Sequence, residues 1–148
     1  MAQTSENGYF RLDIPAVANA LPVVSNTFSA ILEQVAEIPE RETTTYNVLL
    51  SVHEICINII EHAYESKGGR IEIGIQMDVQ SRVLQVDLFD KGRSFDLTAV
   101  PQPDLDSAPV RGYGLFLVHE LMDDVSYAPE PERNHWRLVK RLLSQPAG

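Results

Sequence analysis

The sequence predicts an α/β (α+β) fold, a two-layer sandwich with helices on one face of a mixed, mostly antiparallel sheet. Residues 46–65 carry apolar side chains at three- and four-residue steps, the period of a helix. Residues 71–77 and 84–88 alternate apolar and polar, the period of a strand. Along the chain the order is strand, helices, strands, an irregular stretch, helix, strands, with no internal repeat. The 148 residues, 44% hydrophobic and 22% charged, suit one domain over 1–148 with a real core.

Taken in order, residues 1–7 are polar and expected to be disordered. Tyr9, Arg11 and Asp13 alternate with Phe10, Leu12 and Ile14 in a short strand that Pro15 ends. Residues 16–36 read as mainly helical, with Val24, Phe28, Ile31, Leu32 and Val35 on the apolar face and Pro22 dividing a first turn from the body. In the long helix over 46–65, Leu49, Val52, Ile55, Ile59, Ile60 and Ala63 share one face. Asn47, Ser51, Glu54, Asn58, Glu61 and Glu65 share a polar stripe, and Thr43 or Thr44 is the expected cap. Ser66-Lys67-Gly68-Gly69 closes that helix. A strand with Ile71, Ile73, Ile75 and Met77 turns over 78–82 into one with Leu84, Val86 and Leu88. Asp90 falls in phase with those three, so it points inward and needs a hydrogen-bond donor there. Residues 97–111 hold Pro101, Pro103 and Pro109 and read as a lid. A short helix, LFLVHELMDD, and a last strand pair (Val125 to Tyr127, then Trp136, Leu138, Lys140 and Leu142) follow.

A net charge of −9 disfavours nucleic acid and anionic membranes alike. The first residues have neither the apolar core nor the cleavage site of a signal peptide, and no stretch is long enough to span a membrane. A single cysteine, Cys56, rules out an internal disulfide and fits a cytoplasmic chain. Its place inside the helix suggests packing, with a catalytic thiol as the lesser reading. His53, His62, His119 and His135 lack metal-ligand spacing. His62 and Tyr64 are expected to pack at the helix end, and Asp123-Asp124 to be solvated.

Three segments carry the chemistry. Glu54 and Asn58 lie one turn apart, a carboxylate and an amide oxygen able to reach one point; the plainer reading is a solvated stripe. Asp90-Lys91-Gly92-Arg93-Ser94-Phe95-Asp96 is an inward carboxylate followed by a glycine. Gly112-Tyr113-Gly114 opens a helix, where free N–H groups suit a phosphate. Arg93 and Arg111 could reach phosphates or lie on the surface.

These segments resemble a known family. E-I-C-I-N-I-I-E-H-A-Y is similar to the N-box of the GHKL ATPases (the Bergerat fold), D-K-G-R-S-F-D to their G1 box and R-G-Y-G-L-F-L-V-H-E-L-M-D-D-V-S-Y to their G2 region. The combination most resembles the bacterial anti-sigma-factor serine protein kinases, over essentially the whole chain. That resemblance implies ATP and Mg²⁺ as cofactors, with Asn58 the metal ligand and Glu54 the catalytic base for a serine hydroxyl. It implies that Asp90 accepts from the adenine amino group and that Gly92 lies beside the ring. Gly112 and Gly114 would place N–H groups at the phosphates as the lid closes, making Arg111, Gly112, Tyr113 and Gly114 cofactor-binding candidates. The implied partners are a sigma factor and a STAS-type anti-sigma-factor antagonist, with a homodimer formed through the N-terminal strand. One position departs: the G1 box usually has a second glycine where this chain has Ser94, which bears on loop shape and nucleotide affinity. Two rival readings share the boxes, a stand-alone histidine-kinase-like ATPase domain and a non-catalytic nucleotide-binding module that sequesters its partner.

Overall fold

The computed structural model describes residues 8–95 and 114–142. Strand β1 spans Gly8–Pro15, β2 Arg70–Asp78, β3 Val83–Asp90, β4 Asp124–Pro129 and β5 Asn134–Arg141. They form one sheet in the order β1-β2-β3-β5-β4, and all four pairings are antiparallel. The mixed sheet allowed for by the sequence is therefore purely antiparallel among the described strands. Short hairpins join β2 to β3 and β4 to β5, and a hairpin reverses the chain by construction.

Alternation decides the faces. Ile71, Ile73, Ile75 and Met77 of β2, Leu84, Val86 and Leu88 of β3, and Trp136 and Leu138 of β5 are buried in one core. On the same core lie three helices: α1 (Leu21–Glu33), α2 (Arg41–Asn58) and α3 (Gly114–Leu121). Phe28 of α1 and Ile55 of α2 are fully buried, and each such side chain stabilises the fold by about 1.5–3 kcal/mol relative to exposure. The other sheet face carries polar groups, including Glu72, Gln76, Gln85, Asp87 and Arg137. Among the described residues, no helix is long and apolar enough to cross a membrane.

Helix α1 is preceded by a 3-10 turn, Ala18–Ala20, and Pro22 sits in its first turn, the division expected there. Helix α2 starts five residues before the expected Tyr46, and neither Thr43 nor Thr44 caps it. The reason lies in Arg41. Its guanidinium donates to Leu32 O (2.8 Å) and Val35 O (2.5 Å), satisfying carbonyls at the end of α1 and drawing residues 41–45 into the next helix. Glu40, with φ of 48°, makes the turn; Thr44 N–H donates to its carbonyl, and the Thr44 hydroxyl donates to Pro39 O.

At its far end α2 widens into a π-turn, Ile59–Ala63, where Tyr64 N–H donates to Ile59 O at 3.0 Å. Such turns occur mostly at functional sites. Glu65 and Ser66, both at positive φ, then leave the helix. The polar stripe is less solvated than its spacing predicts. Ser51 is completely buried, and Glu54, Asn58 and Glu61 are half-buried, because α3 packs on α2. Asp123 and Asp124 are exposed as expected, although Asp123 Oδ2 also accepts from Arg141 N–H at 2.7 Å.

Candidate active site

Two of the three chemistry-bearing segments meet in the last turn of α2, at Glu54, and the remaining one meets the π-turn that follows it, at Ala63. Gly114, the first residue of α3, lies against Glu54: a Cβ there would stand 2.4 Å from Glu54 Oε2. A larger residue would have to push the Glu54 carboxylate aside. The close approach brings the positive end of α3 towards a carboxylate, a favourable arrangement. Asn58 is one turn further along. Neither Glu54 nor Asn58 makes a side-chain hydrogen bond or ion pair with the described residues, and both are half-buried. Arg111, Gly112, Tyr113, the expected lid over 97–111 and the expected disorder over 1–7 lie outside the described residues.

The second segment is stitched to the end of the same helix. Gly92 approaches so closely that a Cβ would meet Ala63 O at 2.4 Å, and Arg93 N–H donates to that carbonyl at 2.7 Å. The π-turn thus finds a partner for a carbonyl at its C-terminal end. One residue on, the Tyr64 hydroxyl accepts from Lys91 N–H (2.8 Å) and donates to Arg70 O (2.6 Å), with its ring laid over Gly69. The loop after β3 is therefore fixed at Lys91, Gly92 and Arg93 by consecutive helix-end residues. His62 rests edge-on against Phe95, which also meets Tyr127 and Trp136. The Arg93 guanidinium pairs with exposed Glu65 at 3.5 Å.

Asp90 points inward, as its phase predicts, and is 2% exposed. Its donors are Gly92 N–H and Asn134 Nδ2, each 2.9 Å from Oδ1. Burial pushes the Asp90 carboxyl above the ordinary carboxylate value, and the bonds from Asn134 and Gly92 oppose that shift. Oδ2 accepts nothing from the described residues and, unlike the Ser51 hydroxyl, is not sealed off from the surroundings, so one oxygen of this carboxylate keeps acceptor capacity to spare. Asn134 is itself buried at the start of β5, opposite Asp90 in register, and takes a third contact from Ser94 Oγ at 2.8 Å. Sequence reasoning missed Asn134. Its signal was the alternation of Trp136 and Leu138, which extends back by two to an inward polar residue at the strand's start. Cys56 is buried and its thiol is pushed up to about 12, which leaves it a packing residue.

The donor set fits a nucleotide and its cation. Magnesium binds through few protein oxygens together with substrate phosphates, which matches the Asn58 amide oxygen beside Glu54. The described residues contain no cluster of three His, Cys, Asp or Glu that would build an all-protein cage. A single spare oxygen on a largely buried carboxylate suits an exocyclic amine.

The family model of the histidine kinase-like ATPase domain matches residues 14–140. The serine-protein kinase RsbW of Oceanobacillus iheyensis is 29% identical over 130 residues, covering 82% of this chain and 79% of that protein. The serine-protein kinase RsbW of Bacillus subtilis is 28% identical over 126 residues, covering 79% and 76%. Among solved structures, the RsbU and RsbW domains of a Mycobacterium tuberculosis protein superpose with a TM-score of 0.66 at 17% identity. The match covers 95% of this chain and 34% of that longer one, and it shows a shared fold. The curated relatives that the chain resembles are serine-protein kinases, and the chain itself belongs to the histidine kinase-like ATPase domain family.

Proposed function

We propose that the chain is an anti-sigma factor and ATP-dependent serine protein kinase that binds a sigma factor and phosphorylates a serine of a STAS-type antagonist. In this reading it works as a cytoplasmic homodimer with residues 97–111 as its lid. The observation that carries the proposal is the convergence on one helix: Gly114 against Glu54, and Gly92 against Ala63 nine residues on.

Mg-ATP, when bound, would supply the phosphoryl group and a cation to offset the charge of the transfer. Asn58 would hold that cation by its amide oxygen. Asp90 Oδ2 would accept from the exocyclic amine of the base, with Gly92 beside the ring. Gly114, with Arg111, Gly112 and Tyr113, would supply N–H groups and charge at the phosphates. Glu54 would take the proton that the attacking serine hydroxyl gives up, so the proton ends on its carboxylate while the serine oxygen gains the phosphoryl group and ADP leaves. Positioning and charge stabilisation carry most of such a transfer.

The test is transfer of labelled phosphate from ATP to the antagonist, run beside nucleotide and sigma-factor binding on the same proteins. Glu54→Gln keeps shape and loses basicity; its transfer rate should fall by about 10²–10⁴ with binding nearly intact. Asn58→Ala should instead weaken Mg-nucleotide binding. A Glu54→Gln protein transferring at the normal rate would remove Glu54 from catalysis. A wild-type chain that holds a sigma factor yet phosphorylates no antagonist would favour the sequestering module.

A further inference from the structure

Ser94, the departure from the usual box, has an ordinary negative φ, so its position places no demand for glycine on the backbone. Its side chain is used. The hydroxyl donates to Asn134 Oδ1 at 2.8 Å, and Asn134 Nδ2 donates to Asp90 Oδ1 at 2.9 Å and to Gly92 O at 3.0 Å. These contacts are satisfied together only with the amide oxygen towards Ser94 and the amide nitrogen towards Asp90. The result is a directed chain of donors that runs from Ser94 at the surface inward to Asn134 and Asp90, both buried, and successive bonds of this kind polarise one another. It joins the loop after β3 to the start of β5 across 40 residues of sequence.

We propose that Ser94 is a positioning residue for the base-binding carboxylate, acting through Asn134 to keep Asp90 oriented, ionised and selective for a 6-amino over a 6-oxo purine. The proposal rests on the reading of Asp90 as the acceptor of the base. Donation from Asn134 to Oδ1 stabilises the anion and leaves Oδ2 to the exocyclic amine. In the pose of a 6-amino purine, a 6-oxo purine would turn the lone pairs of its O6 towards that oxygen and lose this bond, and it would have to shift in the site to offer a donor instead. Without the Ser94 hydroxyl, Asn134 Oδ1 loses its donor, the amide is freer to turn, and the anion loses part of its support. Placing the family's glycine at this position would therefore weaken nucleotide binding in this chain.

Calorimetric titration with Mg-ATP and Mg-GTP would test this on the wild type, Ser94→Ala, Ser94→Gly, Ser94→Thr and Asp90→Asn. Ser94 lies at the surface, and thermal melting would verify that each variant is folded. The alanine and glycine variants should bind ATP about three- to tenfold more weakly, the equivalent of one ordinary hydrogen bond, and their preference for ATP over GTP should narrow. Ser94→Thr, which keeps the hydroxyl, should restore both. Alanine and glycine variants that match the wild type while Asp90→Asn weakens ATP binding would overturn the relay and leave the base site standing. Asp90→Asn binding ATP like the wild type would overturn the base site and the relay with it. A loss in Ser94→Ala that Ser94→Thr fails to restore would assign the effect to loop packing and also overturn the relay.

Discussion

At the Glu54 end of the site two helices meet, a glycine lies against a carboxylate, and neither Glu54 nor Asn58 is hydrogen-bonded to the described residues through its side chain. At the Asp90 end two strands and a loop meet, and Asp90, Asn134, Gly92 and Ser94 bond to one another with one oxygen to spare. Both ends hold an inward or half-buried carboxylate, yet one is open and the other nearly complete. The difference follows from what each would handle in the proposed reaction. A base that must gain a proton and a side chain that must meet a cation have no side-chain partners among the described residues. A group that recognises a fixed, neutral heterocycle gains from being held rigid in advance.

After the change at Glu54 itself, the largest expected effect separates the two ends directly. Gly114→Ala would place a methyl group where Glu54 Oε2 lies, forcing the carboxylate aside. Misplacement by about 1 Å costs roughly 10² in rate, so phosphate transfer should fall by about that factor. Alanine is a better helix former than glycine, so the melting temperature should hold and nucleotide binding should change little. Equal transfer rates in the two proteins would show that the close contact has no bearing on the reaction.

Next in size is Asp90→Asn. Exchanging an acceptor oxygen for an amide donor facing the base should lower ATP affinity about tenfold to a hundredfold, the cost of about 1–3 kcal/mol for a mispaired buried group. Stability should move the other way. Because the native Asp90 carboxyl is raised above 3.8 by burial, the folded chain holds this proton at a pH where the unfolded chain has lost it. The contribution of Asp90 to stability is therefore fully present below the unfolded value and is lost as pH rises through the native one. At neutral pH Asp90→Asn should be at least as stable as the wild type, and its advantage should shrink in acid. Denaturant melts at several pH values would measure it, and an advantage that grew in acid would contradict the assignment.

The smallest effect is expected one turn before Glu54. The Ser51 hydroxyl is buried and has no hydrogen-bond partner among the described residues. Ser51→Ala removes an unsatisfied group and should be neutral or stabilising, by less than about 1 kcal/mol. A loss of several kcal/mol in a denaturant melt would mean that the hydroxyl is satisfied after all.

Much of this architecture was legible in periodicity. Period two exposed β2 and β3 and turned Asp90 inward; period 3.6 aligned Glu54 with Asn58. What stayed hidden depends on contacts between distant segments. Helix α2 starts early because Arg41 satisfies carbonyls of α1. Ser51 is buried because the polar stripe of α2 is partly covered, and a stripe is solvated only where nothing packs on it. Ser94 read as a flaw in a motif, because its partner Asn134 lies 40 residues away. The convergence of Gly92 on Ala63 and of Gly114 on Glu54 is likewise a property of the folded chain, although the glycines themselves marked where close approach would occur.

The seam between β3 and β5 has a consequence for the order of folding. The hairpin of β2 and β3 closes over a few residues, whereas Asp90 and Asn134 are brought together across 44. Loop-closure entropy rises with that separation, so local hairpins can form before this seam does. In the proposed reading, recognition of the base is thereby tied to one of the chain's long-range joins. A partly folded molecule with β5 detached would keep Asp90 but lack the partner that orients it. Nucleotide would then bind almost only the fully closed chain, and by mass action it would stabilise the completed fold over every earlier stage.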